Sequence, residues 1–229
     1  MNSVSGFIYD VGLEDRDVPW KKTINRKTFS GTGRVPTIIS SNDKQLIVYA
    51  NQDHEINVYS IEKRKTIYKF TEVTCWINCL ILSQDNKFLG SGSYDKSVRV
   101  WNLHLKELIF KFECTSYVQS VDFNRNCNFV VAGCSDGKIW LWDLTMKAII
   151  KSIQAHNCHI VSLAFTEDST SILSVSNDST IKTFESSNLT QIKIIPTSSA
   201  KIWNANLKAH NNIIVLAFGD WYYRVFKIL

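Results

Sequence analysis

The 229-residue sequence has no apolar run of about 18 residues and no basic segment leading into an apolar one at its N-terminus, which argues against a membrane span and a secretory leader. A soluble intracellular protein, of the cytoplasm or nucleus, is the expectation. Six cysteines (Cys75, Cys79, Cys114, Cys127, Cys134, Cys158) lack the paired spacing of zinc or thioredoxin sites and read as reduced thiols, several of them small core residues. A phosphate-cradling glycine loop and a nucleophile elbow are both missing. So is a basic stripe: 26 Lys and Arg are interspersed with 21 Asp and Glu, for a net charge of +5, and direct nucleic-acid binding is not expected. The densest basic stretch, Lys21 to Lys27, follows the acidic run from Glu14 to Asp17 and reads as solvated surface. No break in composition divides the chain, and its 45% hydrophobic content suffices for one well-buried domain.

What is present is a repeat. "SGSYDKSVRVWNL", from Ser91 to Leu103, returns as "AGCSDGKIWLWDL", from Ala132 to Leu144. The aromatic near the end of this run falls at Tyr59, Trp101, Trp142, Phe184 and Phe226, at intervals of 42, 41, 42 and 42 residues. Six residues before each aromatic stands an aspartate: Asp53, Asp95, Asp136, Asp178 and Asp220. Further upstream lies a hexamer of the form apolar-x-x-apolar-x-apolar, "INCLIL" at Ile77, "VQSVDF" at Val118 and "IVSLAF" at Ile160, with looser versions at Val35 and Ile202.

β-Branched and aromatic runs of about six residues, broken by polar turns, read as strands. The unit beginning at Val118 predicts four of them: "VQSVDF", "FVVAG", "IWLWDL" and "AIIKSI". The aspartate falls where the second strand turns into the third, where its carboxylate can accept backbone N–H groups that neither strand pairs. A sheet this small and apolar on both faces must stack on its neighbours, and the β-propeller stacks such sheets around an axis. The predicted fold class is all-β, a propeller of four-stranded antiparallel blades with about five blades present.

In its repeat length, its aspartate before the third strand and its aromatic-acid pair at Trp142-Asp143, the chain resembles the WD-repeat family from Val35 to Leu229. The resemblance implies a histidine before the first strand that bonds the turn aspartate and, through a serine or threonine, a tryptophan. Only His156 matches, in a unit that ends in Phe184, so the network is incomplete in every unit and a propeller less stable than the family's best is expected. The family usually closes with seven blades. Residues 1–34 form an N-terminal segment whose Ile24–Phe29 stretch reads as a fourth strand without a blade, while the chain's last residues are a third strand without a fourth; residues 35–229 form the propeller. Three closures stand open: a five-blade ring clasped by that N-terminal strand, a fragment of a longer propeller, and an open propeller completed by a partner chain.

No catalytic residue is assigned, because regular spacing gives the aspartates to turns. No metal is assigned either: His156 in "HNCH" has its place in the repeat. No cofactor is expected. The resemblance implies that partners dock where the first strands begin, which nominates Arg34, Trp76, Asn78, Tyr94, Tyr117, Gln119, His159, Lys201 and Trp203. Large aromatics beside Arg34 and Lys201 are the composition of binding hot spots. The expected function is therefore a non-enzymatic scaffold that docks a protein or peptide of a larger complex on one face. A structural subunit completed by a partner's blade, and a component of an RNA-linked complex such as ribosome biogenesis, are the alternatives. Thr145 and His104 stand where a ubiquitin-ligase receptor of this family would carry arginine, which disfavours that role.

Overall fold

A computed structural model describes residues 37–197, 202–207, 213–218 and 223–227. Blade one comprises β1 (Ile38–Ser40), β2 (Leu46–Ala50), β3 (Ile56–Ser60) and β4 (Lys65–Phe70). Blade two comprises β5 (Ile77–Leu82), β6 (Phe88–Ser93), β7 (Ser97–Asn102) and β8 (Glu107–Glu113). Blade three follows with β9 (Val118–Phe123), β10 (Phe129–Cys134), β11 (Lys138–Asp143) and β12 (Ala148–Gln154). Blade four holds β13 (Ile160–Phe165), β14 (Ser171–Ser176), β15 (Thr180–Glu185) and β16 (Gln191–Pro196), and blade five β17 (Ile202–Asn206), β18 (Ile213–Phe218) and β19 (Tyr223–Lys227). Each is an antiparallel meander, four-stranded in blades one to four and three-stranded, among the described residues, in blade five.

The repeat pattern becomes physical in the register. In blades two to five the pairing of the first two strands shifts after its first residue, so that Ile77 faces Ser93 but Cys79 faces Gly92. Two residues oppose one, a β-bulge, and strict alternation breaks into apolar-x-x-apolar. Burial follows: Val118, Val121 and Phe123 of β9 are buried, as are Ile160, Leu163 and Phe165 of β13. A second bulge recurs between the third and fourth strands, where the register slips at Tyr59, Trp101, Trp142 and Phe184. The middle strands are buried on both faces, as β10 shows from Val130 to Cys134, whereas the outer β12 is mostly exposed.

Four apolar clusters hold successive blades together, one at each junction from blades one and two to blades four and five. In blades two and three the third-strand aromatic packs on the blade before it: the Trp101 ring lies 5.3 Å from Phe70, and Trp142 stacks on Phe112 at 5.0 Å. Near the axis, glycine is required by proximity. A Cβ on Gly92 would lie 2.4 Å from Val118 Cγ1, and one on Gly133 would lie 2.6 Å from Ile160 Cγ2, so these glycines admit the first apolar residue of the next blade. Among the described residues no such cluster joins blade five to blade one, and the blades form an open series. The first strand of blade one begins at Ile38. Val35, the N-terminal segment 1–34 and its expected strand at Ile24–Phe29 lie outside the described residues.

Candidate functional site: one face of the propeller

The turns between second and third strands and the connections between blades emerge at the same end of the molecule. Their shape is set by hydrogen bonds around the repeat aspartates. Asp95 accepts from the Ser97 backbone N–H at 3.1 Å and from its hydroxyl at 2.5 Å; Asp136 accepts from the Lys138 N–H at 3.2 Å; Asp178 accepts from the Thr180 N–H at 3.0 Å. Blade one differs. Its turn is held by Asn51, whose Oδ1 accepts from the N–H groups of both Asp53 and Glu55, at 3.0 and 2.9 Å. The Asn51 amide oxygen reaches both donors, so the turn role expected of Asp53 is taken by Asn51. Asp220 lies outside the described residues.

The same aspartates tie each turn to the connection from the blade before. In blade four, His156 is fully buried, with Nδ1 2.9 Å from Asp178 Oδ2 and Nε2 2.7 Å from Ser174 Oγ. This fits a neutral imidazole donating from Nδ1 and accepting the Ser174 hydroxyl proton at Nε2. Burial drives the His156 pKa below its ordinary value, against the pull of Asp178. Burial pushes Asp178 up, but the Thr180 hydroxyl and His156 outweigh it and the net shift is downward. Where blades two and three lack the histidine, threonines serve: Thr74 Oγ1 donates to Asp95 at 3.1 Å and Thr115 Oγ1 to Asp136 at 2.7 Å. Both stand 21 residues before their aspartate, a spacing that the sequence displays but that the histidine pattern obscures.

On this frame the nominated side chains divide into two groups. Trp76, Tyr94 and Tyr117 are exposed at 52%, 38% and 44% of their surfaces, and the Tyr94 and Tyr117 rings meet at 5.0 Å across the junction of blades two and three. The polar residues are committed to one another. Asn78 donates to Gln119 Oε1 at 2.6 Å, again bridging blades two and three. His159 Nε2 lies 2.6 Å from Asn177 Nδ2, and its Nδ1 lies 3.7 Å from Cys158 Sγ. Arg34 and Lys201 lie outside the described residues, and Trp203 is described only as backbone in β17. The structure thus brings Trp76, Asn78, Tyr94, Tyr117 and Gln119 to one edge of the face, with His159 one blade further on.

Repeated four-stranded blades, bulged first strands and aspartate-capped turns define a β-propeller of WD-type units. Residues 64–102 match the family model described as WD domain, G-beta repeat, and residues 113–214 match that of the Vps8 beta-propeller. Relatives include autophagy-related protein 16 of Arabidopsis thaliana, 22% identical over 81% of this chain and 37% of its own length. Protein FIZZY-RELATED 3 of the same plant is 23% identical over 62% of this chain and 31% of its length. Small ribosomal subunit protein RACK1y of Oryza sativa subsp. japonica is 26% identical over 77% of this chain and 51% of its length. The chain spans about a third to a half of these relatives. Over these matched residues the chain is built of WD-type repeats, folded as the blades of a β-propeller.

Proposed function

We propose that this chain is a non-enzymatic docking platform, and that a protein or peptide partner binds the edge of the face formed by Trp76, Tyr94 and Tyr117. The observation that carries this reading is the exposure of three large aromatics on consecutive blades, two of them in ring contact. Paired rings such as Tyr94 and Tyr117 lose little conformational entropy on binding and bury large areas. The Asn78–Gln119 bond supports the reading, because it joins the same two blades that carry the rings. The chemistry expected of the partner is an apolar or aromatic anchor inserted beside Trp76.

The test is a tagged pull-down read by mass spectrometry, comparing wild type with a Trp76→Ala, Tyr117→Ala double variant whose fold is verified by circular dichroism. Loss of specific partners from the folded variant supports the reading. Retention of all of them overturns it.

A further inference from the structure

At the opposite ends of the strands lies a feature that the docking face does not explain. The turn between β3 and β4 and the turn between β7 and β8 border an open surface cavity of about 570 Å³ at the junction of blades one and two. Every charged or titratable group in its lining is basic or imidazole: Lys63, Lys65, Lys106 and His104. Thr66 contributes a hydroxyl, and Ile67 and Leu103 an apolar floor. Glu62 and Glu107, the adjoining acids in the sequence, do not line it.

The three lysines have no acidic partner among the described residues; the ion pairs there belong to Lys69, Lys87, Arg99 and Lys111. At two of the three positions the repeat does not impose the charge, although Arg64 and Lys147 hold the places equivalent to Lys106. The positions of Lys63 and Lys65 are taken by Leu105 and Glu107 in blade two, and by Met146 and Ala148 in blade three. The two walls are joined by Tyr68, whose hydroxyl donates to the Lys106 carbonyl at 3.1 Å while the Lys106 ammonium lies 5.5 Å from its ring centre. Lys106 is itself held in the left-handed region, at φ 60°. Three like charges gathered on a pinned wall repel one another, and an anion relieves that repulsion.

The cavity volume lies within the range of roughly 300–1,000 Å³ typical of small-ligand sites, which favours a compact anion over an extended polymer. We propose that this cavity binds a small ligand carrying two or more phosphate groups. Lys63, Lys65 and Lys106 act as point charges toward the phosphates, Thr66 donates a hydrogen bond, and Ile67 and Leu103 lie under the carbon frame.

The experiment is calorimetric titration of the full chain with inositol hexakisphosphate at physiological salt. Two triple variants are compared. One is Lys63→Gln, Lys65→Gln, Lys106→Gln; the other, Lys111→Gln, Lys151→Gln, Lys193→Gln, removes the same charge from β8, β12 and β16. Wild type and the second variant should bind at a single site, and the first should lose about tenfold in affinity or more, the product of three exposed charge contacts of a few-fold each. Absence of binding by wild type, or equal losses in both variants, would overturn the proposal. Co-sedimentation with phosphatidylcholine vesicles, with and without a phosphoinositide, separates the two sources of such phosphates. Vesicle capture that the first variant loses and the second keeps assigns a lipid headgroup; binding of the free hexakisphosphate alone assigns a soluble ligand. The aromatic face is untouched in all of these proteins, so this test fails or succeeds independently of the docking reading.

Discussion

His156 is the side chain whose removal tests most directly how the blades are held. In His156→Ala, Ser174 loses the acceptor of its hydroxyl while remaining fully buried. An unsatisfied buried group of this kind costs about 1–3 kcal/mol. Asp178 loses one donor but keeps the Asn157 backbone N–H at 3.1 Å and the Thr180 hydroxyl at 2.6 Å, so its share is the smaller one, about 1 kcal/mol. The emptied imidazole volume adds a packing loss, and the sum is about 3–5 kcal/mol, comparable to other large-to-alanine losses in cores. For a chain of this size that corresponds to a fall of roughly 6–20 °C in the thermal midpoint.

The same residue sets a pH signature with a definite sign. Burial holds the native imidazole neutral below its ordinary pKa of 6.5, whereas in the unfolded chain it takes up a proton near that value. The unfolded state therefore binds more protons as the pH falls, and the stability that neutral His156 contributes is fully present above about pH 6.5 and lost as the pH falls through the native pKa. Chemical denaturation of wild type and His156→Ala at about pH 7.5 and about pH 5.5 should show the gap between them narrowing at the lower pH. A loss under about 1 kcal/mol in the variant would refute the satisfied-network account. A gap that widens on acidification would refute the neutral imidazole, because it would mean a protonated His156 paired with Asp178 in the native state.

Three further outcomes are expected. Gly137 has φ +82°, and an added Cβ would lie 2.2 Å from the His156 carbonyl oxygen, so Gly137→Ala should cost about 2 kcal/mol or more, read as a lower denaturation midpoint. Phe112 stacks between Phe110 at 5.8 Å and Trp142 at 5.0 Å, so Phe112→Ala should cost about 3–4 kcal/mol and weaken the near-ultraviolet circular dichroism; an unchanged spectrum would contradict the stack. Burial pushes the Cys79 thiol up to about 12, and contact with Cys114 together with burial pushes Cys134 up, so both should resist alkylation in the folded protein and react on denaturation.

The architecture was legible because one spacing is repeated with little drift. The unit read from Val118 as four strands is β9 to β12, its boundaries within a residue or two, since buried β-branched runs and polar turns alternate there without ambiguity. The bulge behind apolar-x-x-apolar was not legible as such, because two residues facing one is a property of pairing and not of the strand alone. At the docking face, positions relative to the repeat located Trp76, Tyr94 and Tyr117, but could not show that Asn78 and Gln119 spend their polar groups on each other across a blade junction. The lysine-lined cavity escaped notice for a related reason: Lys63 and Lys106 are 43 residues apart, and charge gathered from two turns leaves no mark in a local charge run.

Blade two shows why an incomplete motif does not break the fold. Val73 occupies the place that His156 holds in blade four, four residues before the first strand, and Ser91 Oγ and Trp101 Nε1 are left buried without partners. Arg99, at the position of Lys182, instead turns its guanidinium to Asp95 at 2.7 Å and to Ser97 at 2.5 Å, almost wholly buried. The aspartate thus keeps a cationic partner drawn from its own hairpin in place of a neutral one from the preceding connection. The turn is secured, but the side-chain bond from the inter-blade connection to Asp95 is left to Thr74, whose hydroxyl is exposed to water. A buried ion pair costs much in desolvation, so Arg99 secures the Asp95 turn at a smaller net gain than its short bonds suggest. The connection itself stays tied at Trp76, whose carbonyl accepts from the Tyr94 N–H at 2.9 Å and the Ser93 hydroxyl at 3.0 Å, as the His159 carbonyl of blade four accepts from the Asn177 N–H at 3.1 Å and the Ser176 hydroxyl at 3.0 Å. What blade two gives up is the buried side-chain bond to its aspartate and not the backbone frame of the connection, and that frame is what the missing histidine leaves standing.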